Sequence, residues 1–169
     1  MHLQTAGLTR RRDQRGAAGI EFALILPVLC ALVFGMIDYG LWFNDSLNVR
    51  QGVREAARMG VVENYSTSSC PTASSDMAKL ACITKDQIGS VAGPTYVKII
   101  VPATGWKRTA SLTVCAMVTF KGVTGFVPLP SDGLIKSRTT MSIEVDDVVV
   151  PSGTTITGTP PGGDWSWCT

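Results

Sequence analysis

The sequence FALILPVLCALVFGMI, residues 22–37, is a run of sixteen residues without a charge. The wider tract from Phe22 to Phe43 would be about 33 Å long as an α-helix, at about 1.5 Å per residue, which is enough to cross a bilayer. After Asn44 the composition is mixed, as in a water-soluble domain. The pattern predicts a membrane segment at about residues 20–43 and then one small folded domain.

Charged residues flank this segment unevenly. Four arginines precede it with only Asp13 opposing them, namely Arg10, Arg11, Arg12 and Arg15, whereas residues 38–58 carry both signs. Basic residues next to a membrane segment stay on the cytoplasmic side, so we expect the N-terminus inside and the C-terminal domain outside. Because this topology accounts for the arginines, we do not expect a nucleic-acid partner.

Glu21 stands where the apolar tract begins and separates the interpretations of this segment. A cleaved secretory signal would need small residues after the apolar run, but the bulky, charged DYGLWFND (38–45) follows it. An uncleaved anchor explains length and charge. It leaves Glu21 unexplained, since an ionised residue costs about 2.5–3.5 kcal/mol at the bilayer centre and less near the interface.

The stretch RRRDQRGAAGIEFALILP, residues 10–27, resembles the class III signal of type IV pilins. The resemblance implies that a prepilin peptidase cuts after Gly16, removing residues 1–16 as a basic leader and leaving Ala17 as the new amino terminus. Glu21 would then lie one helical turn from a free amine, directly before Phe22. Assembly can pair the carboxylate of one subunit with the amine of its neighbour, which fixes their axial register.

The longer stretch from Gly16 to Val61 resembles the TadE-like family, pseudopilins or minor pilins of tight-adherence (Flp-type) pilus and secretion systems. The matching pieces are Glu21-Phe22, Leu26-Pro27, the G-x-x-[ED]-[FY]-G motif at Gly35–Gly40 and R-E-A-A-R at Arg54–Arg58. Asp38-Tyr39 stands where the family more often has Glu-Phe. The resemblance implies a single-pass protein of the bacterial cell membrane. Its implied partners are membrane lipid, prepilin peptidase, other pilin or pseudopilin subunits and pilus-assembly membrane proteins.

Residues 17–62 are predicted to form one long helix, because only Pro27 and scattered glycines oppose it. Pro27 removes one donor and should kink the helix. Five small or apolar residues form a stripe at helical spacing that should pack on the external domain: Val49, Val53, Ala56, Ala57 and Gly60. Asp38 and its aromatic neighbours are expected at the outer membrane interface, where the aspartate can reach water.

The external domain, residues 63–150, is predicted to be α+β. A loop (63–75) leads to a helix that starts near Asp76, capped by Ser74 or Ser75, and ends at Gly93-Pro94. Strands are predicted at 96–101, at 112–120 as a half-buried strand, and at 141–146 with a possible continuation to Val150. The expected fold is pilin-like: a long N-terminal helix packed on a small antiparallel sheet of about three strands. The tail, 151–169, should be irregular to Gly163 and docked at its end.

Four of the five cysteines follow the membrane segment, three in the external domain and one in the tail, and suggest two disulfides in an oxidising compartment. Four cysteines allow three pairings, among which the sequence cannot choose. We prefer Cys70–Cys82, which closes a short loop, and Cys115–Cys168, which ties the tail to a strand; reduced thiols are the alternative. Cys30, inside the apolar run, is expected to be a small buried hydrophobe.

Patterns for catalysis are missing from the sequence. His2 is the only histidine and lies in the predicted leader, so no Ser-His-Asp or Cys-His pair can form in the processed chain. Zinc-ligand spacing and phosphate-binding glycine loops are also missing. We therefore expect that the protein is not an enzyme and that it binds no metal ion or cofactor. The competing function is an uncleaved, membrane-anchored extracellular binding module, and an aromatic adhesive patch at Trp165 and Trp167 is a further alternative.

Overall fold

The computed structural model describes residues 15–63, 70, 73, 75–125, 127–146 and 153–169. Within these residues the chain forms helices α1 (Arg15–Val61) and α2 (Asp76–Ile88), and strands β1 (Thr95–Val101), β2 (Ser111–Thr119), β3 (Leu134–Ser142) and β4 (Gly153–Ile156). The strands form one antiparallel sheet in the order β3-β2-β1-β4. The predicted α+β fold, a long helix on a small antiparallel sheet, is confirmed.

Several sequence predictions fall on parts of the chain that are not described. They are the leader up to residue 14, most of the loop 63–75 with Ser74 as a cap, and the continuation of the third strand to Val150. The other proposed cap, Ser75, does cap α2, and its hydroxyl accepts a hydrogen bond from the Ala78 amide.

Helix α1 is 47 residues long and continues through Pro27. Its two halves lie in different surroundings. Large apolar side chains of the first half are exposed, for example Leu24 at 72% and Met36 at 71%, whereas Val49 and Val53 in the second half are fully buried. The predicted stripe through Ala56, Ala57 and Gly60 is buried with them. The second half is therefore part of the domain core.

The main core lies between the two helices and the inner face of the sheet. Its fully buried members come from every layer and include Val49, Leu80, Val97 and Val114. The helices approach closely at Gly52, where an added Cβ would lie 2.6 Å from the Cα of Ile88. Only glycine allows this contact between α1 and α2.

Strand β2 departs from the half-buried pattern predicted for it. Residues Leu112 to Val118 are all buried, so both faces are covered. The inner face packs on the helices, and the outer face lies under the chain's end, where Cys115 and Met117 form a second cluster with Trp165 and Cys168. Apolar and small residues alternate along β2, as they do in a strand with one face in water. The outer face is instead covered by a segment from a distant part of the sequence, which the local pattern does not show.

The third strand was placed too late in the sequence. It begins at Leu134 and ends at Ser142, pairing with β2 from Thr119↔Leu134 to Ser111↔Ser142. The alternation at 141–146 extends past the last pair of the ladder, Ser111↔Ser142. Beyond that pair, Ile143 exchanges hydrogen bonds with Thr109 and Ala110. Because a strand is defined by hydrogen bonding to a partner strand, the alternation of side chains alone predicted the wrong bounds for β3.

Two further boundaries differ from the prediction. Helix α2 ends at Ile88 rather than at Gly93-Pro94, because Gly89 takes φ +71° and its amide bonds back to Lys85 and Asp86. The tail, expected to be irregular, contributes β4, which pairs with β1 through Ile99↔Thr155. The sheet therefore has four described strands instead of about three, and the free edge of β1 recruits the fourth.

The contact between α1 and α2 makes a prediction for Gly52. Gly52→Ala places a methyl group against the Ile88 backbone, which cannot rotate away, and should lower the free energy of unfolding by about 1–3 kcal/mol. Gly40→Ala is the matched control, since an added Cβ there has no atom within 4 Å. Thermal unfolding followed by near-ultraviolet circular dichroism in detergent measures both variants; equal stability of the two would contradict this packing.

Candidate membrane and assembly surface

Most of the first half of α1 is exposed in the part of the chain that the structure describes. The helix from Gly16 to Val61 contains an 18-residue window with mean hydropathy 2.5, none of which is buried. It is the one helix among the described residues that is long and apolar enough to cross a membrane. Since exposing so much apolar surface to water is unfavourable, the finding fits anchoring in a membrane.

The predicted processing and assembly residues all lie on this uncovered segment. Gly16, Ala17, Glu21 and Phe22 are exposed on α1. Four residues of helix bring Ala17 and Glu21 onto the same face, one turn apart. Within the part of the chain that the structure describes, Glu21 has no hydrogen bond or ion pair, so its carboxylate has no partner in the folded domain.

Asp38, in contrast, is completely buried. Its Oδ1 accepts hydrogen bonds from the amides of Val123, at 2.8 Å, and Thr124, at 3.2 Å, while the Thr124 hydroxyl donates to Oδ2. Two successive amides directed at one anion stabilise its charge. The prediction that Asp38 reaches water is wrong, because the loop between β2 and β3 covers the carboxylate.

The same loop is held to α1 at a second point, and a second carboxylate follows on the helix. The hydroxyl of Tyr39 donates to the carbonyl of Pro128 at 3.0 Å. Two turns further along α1, the buried Asp45 accepts a hydrogen bond from the Ala92 amide at 2.9 Å. Residues 38–45 therefore join the exposed half of the helix to the domain without a flexible linker.

This role of Asp38 is not visible in the local sequence. The bonding amides lie 85 and 86 positions away, so no local pattern connects them to the helix. One signal was available: a carboxylate in the first turn after an uncharged run is costly unless something satisfies it.

Both disulfides preferred from the sequence are present in the structure, Cys70–Cys82 and Cys115–Cys168. The second holds the chain's end on the outer face of the sheet, where Lys98 Nζ donates to the Cys168 carbonyl at 3.1 Å. Cys30 is partly exposed rather than buried, because its neighbours on α1 are also exposed in the described structure.

The two terminal tryptophans are engaged within the protein. The indole N–H of Trp165 donates to the Gly158 carbonyl and to Thr159, and that of Trp167 donates to the Asp164 carbonyl. The rings stack with centroids 6.0 Å apart, and Lys136 lies 5.9 Å from the Trp167 centroid. This docking agrees with the expected end of the tail, with Trp165 buried and Trp167 half-buried.

The tail carries an acid, Asp164, whose pKa is lowered by its neighbours. The Ser166 hydroxyl and amide both donate to Asp164, and these bonds hold the pKa of its carboxyl below the ordinary value. Among the described residues, no three His, Cys, Asp or Glu side chains come close enough to bind a metal. The absence of enzymatic activity stays a prediction.

Comparison with known proteins gives one match. The family model described as TadE-like protein matches residues 16–58, which confirms the resemblance identified in the N-terminal sequence. The matched residues comprise the exposed half of α1, Asp38 and the start of the buried half. The match supports membrane association and involvement in the Tad pilus system. No curated protein and no solved structure matches the chain.

The loop contact of Asp38 can be tested by hydrogen exchange. Asp38→Ala leaves the amides of Val123 and Thr124 without their charged acceptor. Because a hydrogen bond to a charged group contributes about 1.5–3 kcal/mol, exchange at these amides should rise about 10- to 100-fold.

Asp45→Ala is the reciprocal control for this experiment. It should raise exchange at the Ala92 amide and leave Val123 and Thr124 unchanged. Unaltered protection at 123–124 in Asp38→Ala would show that the carboxylate does not hold the loop.

Proposed function

We propose that the protein is a minor pilin or pseudopilin that takes part in assembly of a tight-adherence (Flp-type) pilus or secretion complex. In this proposal it is a single-pass protein of the bacterial cell membrane, with its N-terminus in the cytoplasm and its folded domain outside. A prepilin peptidase removes residues 1–16. The observation that carries the proposal is the Glu21 carboxylate, which begins an apolar, exposed helix and has no partner among the described residues.

The electrostatics of Glu21 favour a partner on another subunit. Cleavage after Gly16 gives Ala17 an amine with a pKa of about 7.7–8.0, which is mostly protonated at neutral pH. In a low-dielectric setting an unpaired charge is costly, so the carboxylate and an amine attract strongly there. A neighbouring helix shifted by four residues, about 6 Å along the axis, brings its amine level with Glu21.

The surface around Glu21 supports close packing of such neighbours. Small residues recur four apart at Gly19 and Ala23, and this spacing allows helices to approach closely. Among the described residues, none has an atom within 4 Å of a Cβ added at Gly16 or Gly19, which leaves room for a partner at this end of α1. Other pilin or pseudopilin subunits and pilus-assembly membrane proteins are the partners that fit this surface.

The first test is the identity of the amino terminus. Mass spectrometry of protein extracted from membranes should find Ala17 as the first residue when prepilin peptidase is active, and Met1 when the peptidase is inactivated. An intact Met1 in cells that assemble the pilus normally would favour the alternative function, an uncleaved anchored binding module.

The second test separates assembly from insertion. Glu21→Gln keeps the size of the side chain and removes its charge, so membrane insertion and cleavage should persist while co-purification with the partner subunits and pilus formation are lost.

Glu55→Gln is the matched control, on the same helix beyond the membrane. Its carboxylate pairs with Arg58 at 2.7 Å on the surface, and exposed pairs contribute only about 0–1 kcal/mol. This variant should assemble normally. If Glu21→Gln assembles as well as Glu55→Gln does, intersubunit pairing is not the function of Glu21.

A further inference from the structure

An apolar groove runs along α1 beside the loop that binds Asp38. Its volume is about 500 Å³. Six of its lining residues share one face of α1 and the seventh belongs to the loop: Val28, Ala31, Leu32, Gly35, Met36, Tyr39 and Val127. Tyr39 directs its hydroxyl to Pro128, so the one polar group of these side chains is already satisfied. The groove therefore offers only apolar contacts.

The position of the groove along α1 places it inside a bilayer. A hydrocarbon core of about 30 Å corresponds to about 20 helical residues. A span beginning at Ala17 ends at Met36, and one beginning at Phe22 ends at Leu41. Ala31 and Gly35 lie within the hydrocarbon in both cases. Val127 lies there too, since its side chain is 3.3 Å from a Cβ added at Gly35.

The described part of the loop that lies against α1 suits such a position, because several of its backbone polar groups are satisfied. Irregular backbone is tolerated at membrane depth only where its polar groups are satisfied. The amides of Val123 and Thr124 bind Asp38, and the Pro128 carbonyl accepts from Tyr39. Pro128 and Pro130 have no amide hydrogen to satisfy. Val123 presents a side chain that is 69% exposed, which is unfavourable in water but not in lipid.

We propose that the groove binds one acyl chain of a phospholipid from the leaflet nearest the folded domain. The lining helix segment is about 16 Å long, and it offers only apolar contacts to an occupant, as a hydrocarbon chain requires. The groove is also continuous with the helix surface that the membrane covers. The proposal needs membrane insertion alone and holds whether or not the leader is removed.

The test uses the full chain reconstituted at low density in phosphatidylethanolamine and phosphatidylglycerol vesicles. A small fraction of the lipid carries a diazirine in its acyl chain, and adducts are mapped by mass spectrometry after irradiation. We expect labelling at Val127 but not at Ile156, an exposed apolar residue on β4. Ala31→Leu fills the groove and should abolish the label at Val127.

Ala23→Leu is the matched control, with the same substitution on the exposed helix outside the groove, and should leave the label unchanged. A chain labelled along α1 but not at Val127 would overturn the proposal. So would labelling of Val127 that persists in Ala31→Leu. Because vesicles contain no pilus machinery, failure here leaves the pilin function untouched, and failure of pilus assembly leaves this result untouched.

Discussion

One unbroken helix has to satisfy two environments, and the rest of the structure follows from that constraint. Helical hydrogen bonding satisfies the backbone of α1 in either surrounding, so only the side chains change between its halves. The first half exposes apolar residues along its length, and the second buries Val49 and Val53 in the domain core. The change takes place between Asp38 and Asp45. Each of these carboxylates binds backbone amides of the domain, which fixes the membrane segment to the fold.

The C-terminal tail covers the outer face of the sheet and adds a second, smaller core to the domain. A domain of this size has few elements, and β2 would have one face in water without the C-terminal tail. The tail supplies β4 and the docked Trp165, and the Cys115–Cys168 bond holds it there. A cross-link of residues 53 apart contributes about 4 kcal/mol through the unfolded chain's entropy, against about 3 kcal/mol for the 12-residue separation of Cys70–Cys82. The tail is therefore part of the fold.

The elements that depend on local sequence alone could be predicted from it. The uncharged run, the stripe at Val49 and Val53 and the β-branched residues of β1 each carry their own periodicity, and the elements appear where expected. Elements that depend on a distant partner were misplaced or missed. Only some residues of β3 are apolar, so its bounds are set by its pairing with β2. Strand β4 forms because β1 offers it a free edge. The loop over Asp38 could not be predicted for the same reason. Glu21 could be, because a carboxylate directly before an uncharged run is unusual and both are visible in the local sequence.

The most direct measurement is residue-by-residue hydrogen exchange along α1, with the full chain in lipid nanodiscs. If membrane segment and domain share one rigid helix, amides from about residue 22 to residue 61 should form one protected block, with no break between Ile37 and Asn48. A rapidly exchanging stretch within residues 38–46, separating a protected membrane segment from a protected domain, would contradict this. It would show that the domain is tethered to its anchor by a flexible joint.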